Sequence, residues 1–356
     1  MRNRIRLPLF APAALVISAL MAGPTSAGLT FNFNPAPGTS QLAIDGFVAA
    51  GAMWSSRFAD DITVNIDIGF APLSPGVLAN ANTTRFFFEY ETVRNSLIAD
   101  AISDDDIISS SGIHVGQAKM VINGLFDTPF ASYLDDNGND NNNYMHVGSA
   151  NLKALGLWSA HSGIRDGTIT FNSDFGFDFD RSDGIAADSY DFIGLAAHEI
   201  GHTLGFLSGV DVLDAVFGFG YSDDELPYVT PLDLFRYSRL SSANGAIDWR
   251  AGTIDKYFSI DNGVTKIASF STGYWEGDGQ QASHWKDDRG LGLLDPSAAR
   301  GELLAFSDND LRALDVIGYD RIPAAAVPEP ATLVSGVFAV FVALVARRGR
   351  AGRPSL

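Results

Sequence analysis

The chain has 356 residues, with 24 Lys and Arg against 42 Asp and Glu, and a formal net charge of −18. Such an acidic balance argues against a nucleic-acid partner, whose phosphates need a basic face. Without a cysteine there is no disulfide framework, so an apolar core, aided by any bound metal, must supply stability.

Met1–Ala27 carries Arg2, Arg4 and Arg6, an apolar run from Leu7 to about Ala22, and a small-residue site at Thr25-Ser26-Ala27. That order reads as a secretory signal peptide, with an uncleaved anchor as the alternative. Residues 28–321 are expected to form an α+β domain, with an upper lobe of about 40–205 and a lower lobe of about 206–321. Ala43–Phe58 places Phe47, Trp54 and Phe58 near one face of a helix. Asp61–Phe70 alternates apolar and polar residues, as a half-buried strand does. Tyr90–Ala101 sets Val93, Leu97 and Ala101 at helical spacing, Asp135–Asn143 reads as a loop, and Gly167–Asn172 as a short strand. Gly176–Asp183 is acidic and looped. A helix is expected over Asp188–Gly205, capped by Asp188 or Ser189 and stopped by Gly205 in a left-handed turn.

No strong periodicity follows until about Ser283, and the aromatic residues of that stretch are expected in the core. Asp308–Tyr319 reads as a helix with Leu311, Leu314 and Ile317 on its apolar side. Residues 322–330 form a Pro/Ala-rich linker ending in Val327-Pro328-Glu329-Pro330. Residues 331–346 are apolar, at the short end of a membrane span, and 347–356 form a tail with Arg347, Arg348 and Arg350 that would stay cytoplasmic.

Within the expected helix stands AAHEIGHTLGF, residues 196–206. Positions i and i+4 share a helix face, so His198 and His202 can aim their rings at one Zn²⁺. Glu199 points beside such an ion, where a carboxylate can take a proton from a zinc-bound water and pass it to a leaving amine. A catalytic zinc site needs a third ligand, and the short-spaced position holds Ser208. Of six histidines, only His284 follows the helix. Asp211, nine residues past His202, and Glu225, 23 past it, are the acidic rivals. His284 is favoured, because three imidazoles satisfy tetrahedral zinc with one position open. His114, His146 and His161 have no spacing that suggests a site. Asp135, Asn137, Asn139 and Asn141 alternate as Ca²⁺ loop ligands do, and Asp178, Asp180 and Asp183 form a second set. Neither has the EF-hand glycine and closing glutamate, so a solvated polar loop is the default reading of both.

HExxHxxGF, a long insertion, Ser283-His284-Trp285 and then Gly292-Leu293-Leu294-Asp295-Pro296 resemble the metzincin zinc peptidases of the leishmanolysin type. The resemblance implies a zincin/metzincin-like catalytic domain, its active-site helix in an N-terminal sheet-and-helix lobe above an irregular C-terminal lobe. It implies zinc on His198, His202 and His284, Glu199 as general base, and hydrolysis of a protein or peptide substrate. It also implies an edge strand that pairs with extended substrate, a role Gly167–Asn172 is expected to take. One departure is Leu294, which stands where the family has a methionine beneath the metal; the two side chains are close in volume. The motif, helix and basic tail after residue 327 resemble a PEP-CTERM sorting signal. That implies recognition by an exosortase and export to the surface or matrix of a Gram-negative bacterium, after transient anchoring in the inner membrane. A surface or matrix binding protein that keeps the fold without the activity is the alternative.

Overall fold

Val64, Ile66 and Ile68 turn inward along Thr63–Ala71 while Thr63, Asn65 and Asp67 stay half-exposed, the two-residue period of a pleated strand. This strand lies inside a four-stranded sheet in a computed structural model that describes residues 28–123, 132–216 and 226–323. The sheet runs Thr30–Pro35, Thr63–Ala71, Gly167–Asn172, Ala79–Thr83. The first three strands are parallel and Ala79–Thr83 is antiparallel to its neighbour. Parallel neighbours require a crossover, and the helix Gln41–Ser55 supplies the first one. Ser40 caps that helix by accepting from the Ala43 amide at 3.2 Å.

Gly167–Asn172 is therefore an inner strand, not the expected edge. Its alternation makes it a strand, but periodicity carries no information about what pairs on each side. The small polar stretch Ala79–Thr83 takes the outer place, with Thr30–Pro35 at the opposite edge.

The apolar face of the sheet meets two helices through aromatic rings. Phe47 of the first helix lies edge-on to Phe171 at 5.5 Å and to Phe192 at 5.3 Å, and Phe171 to Phe192 is 4.4 Å. Burying each ring is worth about 1.5–3 kcal/mol. Gly46 lets Phe192 approach, since a Cβ there would lie 2.6 Å from its ring.

Phe192–Leu204 is the histidine-bearing helix, and all its residues but Ile193 are buried. Its cap is Asp191, which accepts from the Gly194 amide at 2.9 Å, rather than Asp188 or Ser189. Asp191 also receives the Leu304 amide and pairs with Arg181, and these distant partners hold it at the cap. Gly205 ends the helix at φ +119°, and the Phe206 amide reaches back to the Gly201 carbonyl at 3.0 Å. Trp54 ties the first helix to this one by donating from Nε1 to the Ala197 carbonyl at 2.8 Å.

Residues beyond 206 carry short elements: Val210–Val216, a 3-10 turn at Pro231–Phe235, and an antiparallel sheet of Arg236–Tyr237, Lys256–Phe258 and Ala268–Phe270. Ile247–Asp248 runs parallel to Met120–Asn123, so a sheet crosses the expected lobe boundary. The mixed α+β class is as expected. The expected loop at 135–143 includes a short helix, Asp140–Asn143, and the acidic stretch at 176–183 includes Phe177–Asp178, paired with Tyr190–Asp191. The expected signal peptide, 1–27, and the sorting tail with its motif, apolar run and basic end lie outside the described residues. Among the described residues no helix is long and apolar enough to cross a membrane.

Candidate metal centre

Three imidazole nitrogens converge. His202 Nε2 stands 3.1 Å from His198 Nε2 and 3.1 Å from His284 Nε2, and the third side of the triangle is 3.3 Å. All three residues are buried. The other nitrogen of each ring faces a backbone carbonyl: His198 Nδ1 that of Leu293 at 2.8 Å, His202 Nδ1 that of Phe206 at 2.8 Å, and His284 Nδ1 that of Gln281 at 3.3 Å. A carbonyl only accepts, so each Nδ1 carries the hydrogen and each Nε2 presents a lone pair.

Three lone pairs facing one another repel, and no proton is present to bridge them. A cation at their common centre removes the conflict. Tetrahedral ligands about 2.0–2.1 Å from a zinc stand about 3.3–3.4 Å apart, close to the observed triangle. Burial also keeps the rings neutral, as ligands must be: it lowers His198 to about 4 and His202 to about 3, and pushes His284 well down. Among the described residues, these three are the group of His, Cys, Asp and Glu whose ligand atoms gather closely enough to hold a metal ion.

Glu199 lies on the same helix, buried, and burial raises its carboxyl to about 8. Leu294 is fully buried under the helix. A methyl on Gly201 would lie 3.1 Å from Leu294 Cδ1 and 3.2 Å from Trp54, so the glycine admits this apolar floor. The turn carrying Leu294 is fixed by Asp310. That carboxylate accepts from the amides of Leu293 at 2.8 Å, Leu294 at 3.2 Å and Ser307 at 2.7 Å, and from Trp285 Nε1 at 2.8 Å. One buried aspartate thus joins the floor of the site, the segment after His284 and the start of the helix Asp308–Asp315. Sequence reading missed this role, although Ser307 followed three residues later by an acid is a capping-box signal.

Asp211 does not join the triad; it accepts from the backbone amides of Ala282 and Ser283 and from the Ser283 hydroxyl. Glu225 lies outside the described residues. His146 stacks on Phe87 at 4.5 Å, His114 faces the Gly245 carbonyl, and His161 lies 3.5 Å from Asp61. None of the three is among the residues whose ligand atoms gather at the centre. In the first set considered for calcium, Asp135 accepts from the Asn141 side-chain amide. In the second, Asp178 and Asp180 accept amides of their own loop.

Fold and site together define a mixed α+β protein with a buried tri-histidine centre able to hold a metal ion. No family model matches the chain, and neither a curated protein nor a solved structure matches it.

Proposed function

We propose that this protein is an exported zinc-dependent endopeptidase of the metzincin kind. The observation that carries the reading is the convergence of His198, His202 and remote His284 on one point, with the buried Glu199 following His198 on the same helix. A purely structural metal site has no use for a buried carboxylate placed there. His198, His202 and His284 would hold the ion. The chemistry a bound zinc supplies is Lewis acidity, which acidifies a water and polarises a scissile carbonyl.

Kept ionised by a cation on the triad, which would oppose the upward pull of burial, Glu199 can take the proton of the attacking water on a carboxylate oxygen and return it to the leaving amine nitrogen. The Leu293 and Phe206 carbonyls hold the His198 and His202 rings in the required tautomer. Ala79–Thr83 replaces Gly167–Asn172 as the strand that suits an extended peptide. It is a sheet edge, and Thr83 Oγ1 donates to the His202 carbonyl at 3.0 Å, next to the centre. Leu294 supports the helix from beneath in the place of the family's methionine. Export and sorting through the two terminal segments belong to the same proposal, with the exosortase-type machinery as a second partner.

Cleavage of a mixed quenched-peptide library by the full chain tests the reading. Wild type cleaves; Glu199→Ala and His284→Ala do not. A folded, zinc-loaded wild type that cleaves nothing overturns it in favour of a binding protein.

A further inference from the structure

We propose that Asp211 is the positioning residue for His284, holding the remote histidine in register with the two on the helix. The inference rests on the metal-centre reading of the triad. His284 lies 82 residues beyond His202, in a segment with no helix of its own to align it. Its outer contact, to the Gln281 carbonyl at 3.3 Å, is longer than the 2.8 Å contacts of His198 and His202. On its far side the residue is tied by the Ser271 amide, which donates to the His284 carbonyl at 3.0 Å, and by the Trp285 amide, which donates to the Leu294 carbonyl at 2.9 Å; the side before it, residues 282 and 283, needs a hold of its own.

Asp211 supplies it. Its Oδ1 accepts from the Ala282 amide at 2.5 Å, and its Oδ2 accepts from the Ser283 amide at 3.2 Å and from the Ser283 hydroxyl. Hydrogen bonds to an ionised acceptor are roughly twice as strong as neutral ones. The two residues directly before His284 are therefore fixed by one side chain. From the other side, Arg236 donates to the Ala282 carbonyl at 3.4 Å and to the Ser271 carbonyl at 2.8 Å. Its buried charge faces Asp211 and Asp233.

The same network reaches the end of the histidine helix. The Ser283 hydroxyl, which donates to Asp211, accepts from the Ser208 amide at 2.8 Å. The Ser208 hydroxyl donates to Asp233 at 2.6 Å, and Asp233 also accepts the amides of Gly209 at 2.8 Å and Thr230 at 2.9 Å. Ser208 is two residues past Phe206, whose carbonyl holds the His202 ring. The position where a short-spaced ligand would stand thus hands its amide to the segment that carries the distant one.

The helix Val210–Val216 provides its own control. Asp214, one turn beyond Asp211, accepts the amides of Trp275 and Glu276 at 2.8 Å each, a similar clamp on a segment without a ligand.

The test measures zinc affinity of the full chain by competition with a chromophoric chelator, and the visible absorption of the Co²⁺-substituted protein. Wild type, Asp211→Asn, Ser283→Ala and Asp214→Asn are compared, with circular dichroism reporting the fold. Asp211→Asn and Ser283→Ala are expected to weaken zinc about 10–100-fold, the usual range for groups that orient ligands, and to alter the Co²⁺ spectrum. Asp214→Asn is expected to leave both unchanged. Wild-type affinity and spectrum in a folded Asp211→Asn, or in Ser283→Ala if Asp211→Asn does not fold, overturn the proposal. Equal weakening by Asp214→Asn overturns it too, since the effect is then general loosening. A wild type that binds neither metal overturns the metal reading and this proposal with it, an outcome distinct from the other two.

Discussion

The carbonyl oxygen of Leu293 accepts a hydrogen bond from Nδ1 of His198 at 2.8 Å, and the next residue, Leu294, packs beneath the same helix at Gly201. One turn thereby sets both the tautomer of a ring of the triad and the floor under it. Asp310 holds that turn through two amides.

Leu294 is therefore expected to tolerate methionine and not alanine. Leu294→Met keeps volume and should cost less than about 1.5 kcal/mol. Leu294→Ala opens a cavity beneath the helix at Gly201 and should cost about 2–5 kcal/mol. Urea unfolding of the metal-loaded proteins measures both. A Leu294→Ala variant as stable as wild type would mean the turn collapses onto the helix.

Glu199→Gln is expected to separate metal binding from turnover. The substitution keeps shape and removes the proton acceptor, so kcat should fall about 10²–10⁴-fold with the metal stoichiometry retained. Single-turnover kinetics beside metal analysis distinguishes this from loss of the ion. Full activity in this variant rules out Glu199 as the general base.

His284→Ala should abolish most of the stabilisation by zinc. A ligand present at about 100 times its Kd adds about 2.7 kcal/mol to the folded state, so the wild-type Tm should climb with added zinc. In the variant, two histidines remain and the climb should begin only at much higher concentration. Calorimetry with and without a chelator reads the difference; identical zinc responses would place the third ligand elsewhere.

Away from the centre, Asp60, Asp100 and Asp315 are each raised to about 7, chiefly by burial. Neighbouring carboxylates add to it, Asp320 beside Asp60 and Asp100, and Asp106 beside Asp315. The folded chain keeps protons that the unfolded chain releases near its ordinary value of 3.8. Their contribution to stability is complete below that value and is lost as pH rises through about 7. Asp60→Asn, neutral throughout, should gain Tm relative to wild type between about pH 5 and about pH 8. A constant difference across that range would show that Asp60 titrates as an exposed carboxylate does.

Local order carried much of this protein in plain view. Alternation marked a strand over Asp61–Phe70, Gly167–Asn172 read as a second short one, and helical spacing put His198 and His202 on one face with Gly205 as the stop. These are properties of neighbours in the chain, so a short window contains their cause. His284 was legible for a different reason: few histidines exist, and only one follows the helix.

What the tertiary structure decided are the partners. Asp191 rather than Asp188 or Ser189 caps the histidine helix because Leu304 and Arg181 also meet it there. Asp211 clamps the His284 segment rather than joining the triad, and Asp310 holds the turn under the site. Ala79–Thr83, not Gly167–Asn172, became the sheet edge beside the histidine helix. An aspartate looks alike in sequence whether it caps, clamps or binds an ion. Its role follows from which amides or side chains arrive beside it from distant parts of the chain, and periodicity holds no record of those meetings.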